Sequence, residues 1–272
     1  MTLDNNEKNL KITATTLNTI PVILCGGKGS RLSELTQTTN KPLIDIADIP
    51  IVLHVAMRYW LSGFKTIVLA AGWQFESFKT RFERKLEEAK QHPIFAPMAH
   101  NISFILLDTG AESDTFERIV QTCEFVSHPY YFITYGDTLT DIACKDILDQ
   151  FNETSSARDC VLVSAVQPER RFSLIEFDEV SKQLTSFSEK SGRERDWVGC
   201  GFMIIPQKLI KSHSQMTSLE KAFLPEITSK SEAYVHPHIG LWHPIDYIID
   251  VKKAQAVYDN EILYGTPRWL RA

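Results

Sequence analysis

An apolar run, Pro21 to Cys25, stops at Gly26, Gly27 and Gly29, and cations follow at Arg31 and Lys41. That pattern suits a backbone brought against phosphate. Glycine lets the chain approach closely and adopt positive φ, and the freed N–H groups can point at anionic oxygens. Arg31 and Lys41 would supply the balancing charge. An ordinary strand-to-helix turn explains the same glycines without a ligand. Two better-known phosphate loops do not fit. The P-loop needs Gly-Lys-Ser/Thr, and the order here is Lys28-Gly29-Ser30. The dinucleotide fingerprint needs a further glycine where Leu32 stands.

A second group of candidates is acidic. Tyr130 to Tyr135 is an apolar run that ends in Gly136-Asp137. A carboxylate buried without a partner is costly, so Asp137 either caps the next element or ligates a metal. Magnesium on a nucleotide takes one or two protein carboxylates beside phosphates and waters. The distant partner would be Asp246, which opens the last helix and whose structural alternative is that helix's N-cap. His236, His238 and His243 have a spacing that invites a metal reading. Surface histidines near prolines explain them better, because no cysteine or carboxylate completes a set.

These residues need elements to hold them. Strand patterns at Pro21–Cys25, 66–71, 102–107, 130–135 and 160–166 alternate with helix patterns at 51–61, 74–90 and 115–126. Alternation of this kind predicts a mostly parallel sheet covered on both faces. Ligands bind such sheets beyond the carboxyl ends of the strands, where the glycine loop, Asp108-Thr109-Gly110 and Gly136-Asp137 would meet. Short strands near 174–177, 184–188 and 201–205 predict a smaller region closing over a second substrate. A final helix is expected over 245–258. Residues 1–18 and 263–272 are expected to be tails flanking one domain, 19–262, with 166–205 contributing the second-substrate side.

Composition narrows the function classes. The chain has 272 residues and a net charge of −5, which argues against a nucleic-acid partner. Five cysteines (Cys25, Cys123, Cys144, Cys160, Cys200) show no Cys-x-x-Cys spacing and fit a reducing cytoplasm. The polar stretch Met1 to Asn18 predicts no secretory leader. The apolar stretch Pro50 to Phe64 is too short to span a bilayer and carries His54 and Arg58, so no membrane insertion is expected.

Gly26, Gly27, Gly29, Ser30, Arg31, Leu32, Lys41 and Pro42 resemble the Gly-Gly-x-Gly-Thr/Ser-Arg-Leu and Lys-Pro signature of sugar-1-phosphate nucleotidyltransferases. Asn40 stands where that family more often has proline. Further segments at 106–110, 132–137, 171–172, 187–190, 201–202 and 242–246 follow the order found in glucose-1-phosphate cytidylyltransferases. The resemblance runs from about Pro21 to Tyr258. It implies an α/β fold with a doubly wound, mostly parallel sheet and a small β-rich acceptor side. It implies Mg²⁺, CTP and a sugar phosphate as ligands, a CDP-activated product with release of pyrophosphate, and a homo-oligomer.

The resemblance also implies residue roles. Asp137 and Asp246 would hold the metal. Arg31, Lys41 and Lys190 would be catalytic, with Lys190 on the acceptor phosphate. Cys25, Gly26, Gly27, Gly29, Ser30, Thr109, Gly110, Thr115, Arg118 and Gly136 would bind the nucleotide. Arg171, Ser173, Glu189, Cys200 and Gly201 would bind the acceptor.

Three departures stand out. Phe116-Glu117 precedes Arg118 where the family has two glycines, and Ser173 replaces a glycine. Val198-Gly199-Cys200-Gly201 replaces Asn-Gly-Gly. A polar mismatch in such a pocket discriminates strongly, so the expected acceptor is not plain glucose-1-phosphate. One alternative is GTP-dependent transfer to a heptose- or hexose-1-phosphate, because Ser218 to Pro225 (SLEKAFLP) resembles a guanylyltransferase segment. The other is a catalytically silent nucleotide-binding module, which Phe116-Glu117 favours.

Overall fold

The computed structural model describes residues 13–27, 40–154, 159–169, 173–188 and 196–271. A central sheet is built from β1 (Thr19–Leu24), β4 (Thr66–Ala71), β5 (Ser103–Asp108), β6 (Tyr130–Tyr135), β8 (Val161–Val166), β11 (Val198–Pro206) and β12 (Ala233–His238). Its order is β12-β8-β11-β6-β1-β4-β5. The pairings are parallel except those of β11, which runs antiparallel to β6 and β8. Every residue of β1 is buried, as befits a strand covered on both faces. Alternate side chains enter two apolar layers. Ile20, Val22 and Leu24 join Phe116 and Ile119 of α3 (Thr115–Phe125), whereas Ile23 joins Val52 and Val55 of α1 (Ile51–Leu61).

The remaining helices complete these layers. α2 (Phe75–Ala89) and α4 (Cys144–Glu153) contribute Phe78, Phe82, Ile147 and Phe151 to the α1 side. α5 (Gln207–Ser212) and α6 (Leu224–Ser229) contribute Leu209, Ile210 and Ile227 to the α3 side. α7 (Ile248–Ile262) packs Ala254 and Tyr258 back on the α1 layer. Among the described residues no helix is long and apolar enough to cross a membrane.

Chain order around β1 creates the crevice that matters. From β1 the sheet grows through β4 to β5, and the chain then returns to lay β6 on the other side of β1. The connections therefore leave β1 and β6 in opposite directions. The loops at their carboxyl ends splay apart there, which is where open α/β sheets bind ligands. Gly26 follows β1, and Gly136-Asp137 follows β6.

Two differences from expectation concern the strands. The strand expected over 201–205 does not belong to a separate small region. It is the middle of β11, wedged between β6 and β8 in the main sheet. Of the three strands expected in that region, β9 (Leu174–Phe177) and β10 (Leu184–Ser188) do form a separate antiparallel hairpin, as β2 (Asp45–Ile46) and β3 (Ile49–Pro50) do earlier in the chain. β12 was not anticipated, because His236-Pro237-His238 reads as a loop. Proline is tolerated there because β12 is an edge strand with an open side.

Both termini are docked where they are described. Ala14 N–H donates to Asn152 Oδ1 at 2.8 Å. Past α7 the chain returns to α1, where Trp269 is 1% exposed. The Arg58 guanidinium donates to the carbonyls of Ile142 and Trp269, and Trp269 Nε1–H donates to His54 Nδ1 at 3.1 Å. Arg58 and His54, buried on the largely apolar α1, thereby find hydrogen-bond partners.

Candidate active site

Two three-residue strands bring distant carboxylates together. β7 (Thr138–Thr140) pairs antiparallel with β13 (Trp242–Pro244), setting Thr138 opposite Pro244. Ile245 N–H donates to Asp137 O at 2.9 Å and extends that ladder by one step. Asp137 and Asp246 therefore stand side by side although more than a hundred positions separate them in sequence. Asp246 is not the N-cap of α7. Tyr247 holds that place, and Asp250 Oδ2 accepts from the backbone N–H of both Asp246 and Tyr247.

Lys41 sits at the focus of the pair. Its Nζ is 2.7 Å from Asp137 Oδ2 and 2.9 Å from Asp246 Oδ1. Burial by itself would lower the Lys41 ammonium pKa. The charges and hydrogen bonds of Asp137 and Asp246 outweigh it and hold the group above its ordinary value. The backbone around Lys41 is fixed. Leu43 N–H donates to Asn40 O, and Asn40 Nδ2 donates to Trp73 O at 2.7 Å. Pro42 packs under Gly136, where an added Cβ would lie 3.0 Å from Cys25 Sγ and 3.2 Å from Pro42 Cβ. Cys25 is thus interior packing beneath the site, and burial pushes its thiol well above the ordinary range.

The nucleotide-side candidates are also gathered, but on one another. Arg118 is 5% exposed and reaches from α3 to the carboxyl ends of β1 and β5. Its Nη1 donates to Thr109 Oγ1 at 2.6 Å and to Gly110 O at 2.9 Å, and its Nη2 donates to Gly26 O at 3.2 Å. A Cβ on Gly26 would lie 2.1 Å from Arg118 Cζ, so that position admits only glycine while the guanidinium is in place. Thr109 Oγ1 in turn donates to Ala71 O at the end of β4 at 2.5 Å, so Arg118 and the fully buried Thr109 act as a clamp on the ends of β1, β4 and β5. Their polar groups, expected on the nucleotide side, are engaged with these strand ends. Gly27 stays exposed, with open space where a side chain would be.

Phe116 and Glu117 have local explanations. Glu117 accepts from Asp114 N–H while Asp114 accepts back from the first turn, so the two form a capping box. Phe116 stacks on Phe223 with ring centroids 4.2 Å apart. The N–H groups of Phe116 and Glu117 donate to Thr217 O at 2.8 and 3.1 Å. Thr115 Oγ1 donates to Glu220 Oε2 at 2.9 Å and accepts from Leu219 N–H. The N-terminus of α3 is therefore covered by the 217–220 segment. Glu220 also accepts from the Tyr135 hydroxyl, two residues before Asp137. Sequence reasoning did not single out Tyr135 and Glu220. The SLEKAFLP segment was the visible signal for Glu220, and Tyr135 lay inside the 132–137 segment.

On the acceptor side, Gly201 has φ of +94° inside a bulge of β11, with the Tyr135 ring against it. Cys200 is turned into the interior. It is 2% exposed, its Sγ lies 3.0 Å from Ser164 Oγ, and its carbonyl accepts from Trp242 Nε1. Ser173 is exposed at the start of β9. Gly29, Ser30, Arg31, Arg171, Glu189 and Lys190 lie outside the described residues.

The donor set can be tested against a metal. Among the described residues no group of three His, Cys, Asp or Glu side chains converges. Two carboxylate oxygens do converge on one cation, the Lys41 ammonium, at 2.7 and 2.9 Å. Two hard oxygen donors, completed by phosphates and water, fit magnesium rather than zinc. The histidines have other partners: His236 pairs with Gln150, His238 with Asp141, and His243 with the Asp250 carbonyl.

Comparison with known proteins bears on the family and the fold. The family described as nucleotidyl transferase matches residues 20–243. A glucose-1-phosphate cytidylyltransferase of Salmonella typhi is 27% identical over 252 residues, 88% of this chain and 95% of that protein. A mannose-1-phosphate guanyltransferase beta-A of Xenopus laevis is 24% identical over 253 residues, 92% of this chain and 68% of that protein. Among solved structures, a putative glucose-1-phosphate thymidylyltransferase from Bacillus anthracis superimposes with a TM-score of 0.66 at 14% identity. It covers 88% of this chain and 94% of its own.

Proposed function

The chain belongs to the nucleotidyl transferase family, and from that premise we propose that it transfers a nucleotidyl group from CTP to a sugar-1-phosphate or related phosphate, releasing pyrophosphate. The observation that carries this reading is the meeting of Lys41, Asp137 and Asp246 beside the crevice between β1 and β6. The cytidylyltransferase relatives support CTP as the donor.

No protein nucleophile is needed. An oxygen of the acceptor phosphate forms a bond to the α-phosphorus of the triphosphate, and the bond to the pyrophosphate oxygen breaks in line with it. Two polyanions must meet, so catalysis consists mainly of positioning and charge neutralisation. Asp137 and Asp246 would hold Mg²⁺, which when bound neutralises charge on the phosphates. Lys41 and Arg31 are assigned to the triphosphate, and Lys190 to the acceptor phosphate. Gly27 and Gly29 bring the backbone near the phosphates. The Arg118 clamp fixes the spacing of the loops around them. In this reading 19–262 is the transferase domain, and 166–205 borders the acceptor.

A GTP-dependent reaction is the second reading. The SLEKAFLP segment covers the N-terminus of α3 through Leu219 and Glu220, with Thr217 just before it, and a guanyltransferase is among the relatives. The silent-module alternative has lost its argument, because Phe116 and Glu117 serve packing and capping. Pyrophosphate release with each of the four common ribonucleoside triphosphates, against a panel of sugar-1-phosphates, separates these readings. Turnover with CTP supports the first, and turnover with GTP alone replaces it with the second. Release with no triphosphate and acceptor pair removes both.

A further inference from the structure

The Lys41 ammonium stands where two carboxylates converge, which is where a divalent cation would have to be. Its contacts to Asp137 and Asp246 differ by only 0.2 Å (2.9 − 2.7). One ammonium and one divalent ion cannot share that focus. Charge repulsion between the ammonium and a divalent ion at that range forbids it. A metal must therefore displace Lys41 from at least one carboxylate.

Once displaced, the ammonium cannot simply rejoin bulk water. The Lys41 side chain is 14% exposed, and its backbone is held by Asn40, by the turn to Leu43 and by Pro42 packed under Gly136. Only the flexible four-carbon stem can swing. A half-buried cation that loses two anions needs another one nearby, or it resists the move. The phosphates of the triphosphate are the anion that the proposed reaction supplies.

Resting on that reading, we propose that Lys41 is a resident counter-ion, passed from the Asp137–Asp246 pair to the triphosphate when metal and nucleotide enter together. Metal alone binds weakly because it must evict Lys41 with no exchange partner. Triphosphate alone binds weakly because Lys41 is already engaged. Each ligand releases what the other needs, so their affinities are positively coupled and, by linkage, by the same factor in both directions.

The test is Mn²⁺ binding to the full chain, measured by electron paramagnetic resonance or calorimetry. Titrations are done with Mn²⁺ alone and with the α,β-methylene analogues of CTP and GTP. For the wild type, the productive analogue should raise Mn²⁺ affinity about 10-fold or more, within the roughly 5- to 150-fold span usual for coupled sites. Lys41→Met should bind Mn²⁺ alone about 10-fold more tightly than the wild type and show a smaller response to the analogue. Adding Asp137→Asn to that variant should abolish the gain. Lys41→Gln, which keeps a neutral donor, serves the same purpose if the methionine variant does not fold.

Mn²⁺ binding to both Lys41 variants no tighter than to the wild type overturns the counter-ion role alone. A gain that survives Asp137→Asn does the same. Failure of the wild type to bind Mn²⁺ with either analogue overturns the metal–triphosphate reading, and the hand-over with it.

Discussion

Replacing Arg118 by methionine keeps an unbranched side chain and removes the guanidinium. Four contacts vanish: Thr109 Oγ1 at 2.6 Å, Gly110 O at 2.9 Å, Gly26 O at 3.2 Å and Ala71 O at 3.4 Å. Hydrogen bonds from a charged donor contribute about 1.5–3 kcal/mol each, but these share one group and do not simply add. The expected loss is about 3–4 kcal/mol, in the range for breaking a buried charged network. For a chain of this size that corresponds to a melting point lower by roughly 6–16 °C. Urea unfolding should show a lower midpoint with an unchanged slope. Arg118→Lys should recover little, because a single ammonium cannot reach all the acceptors held in the guanidinium's fork geometry. The clamp is refuted if Arg118→Met unfolds within about 0.5 kcal/mol of the wild type while nucleotide affinity collapses. That pattern belongs to a side chain facing the ligand.

Two further outcomes follow from named contacts. Burial lowers the His54 pKa to about 4 from its ordinary 6.5, so between those values the unfolded chain binds a proton that the folded chain does not. Stability from this group is present above pH 6.5 and falls as pH drops through that window, by about 1.36 kcal/mol per pH unit, levelling off below the folded pKa. Unfolding free energies of the wild type and His54→Asn across this range check it, and an identical slope in both contradicts it. Glu220→Ala removes the acceptor shared by Thr115 and Tyr135. The expected cost is about 1–2 kcal/mol by urea unfolding, and no change there would mean that the 217–220 segment docks without it.

Much of the scaffold was legible because its signals are local. The helix at Ile51–Leu61 and the strands at Thr66–Ala71 and Tyr130–Tyr135 have the bounds that their apolar patterns predict. Asp137 was recognisable as a candidate from its place after an apolar strand, and Asp246 from its place at the opening of the last helix pattern. Their adjacency was not, since it depends on two strands of three residues each, too short to carry a pattern. The helix expected from Ile245 begins at Ile248 because Trp242–Pro244 pairs with β7 and Ile245 continues that ladder. Arg118, Thr109 and Cys200 were seen as polar or unusual residues near motifs. Nothing in one dimension says that their side chains turn inward to each other or to the core. Glu117 carried a readable signal, the Asp114-x-x-Glu117 capping pattern, that the glycine comparison overshadowed.

The central claim is that the Lys41–Asp137–Asp246 cluster is the metal half of a nucleotidyl-transfer site. The most direct test is the initial rate of pyrophosphate release with Mg²⁺, the preferred triphosphate and its sugar-1-phosphate, for the wild type and Asp137→Asn. The wild type should require all three components. The variant should keep its unfolding midpoint and lose about 10²- to 10³-fold in rate, as for removal of other preorganised charge-stabilising groups. Near-normal turnover by a folded Asp137→Asn protein would contradict the claim.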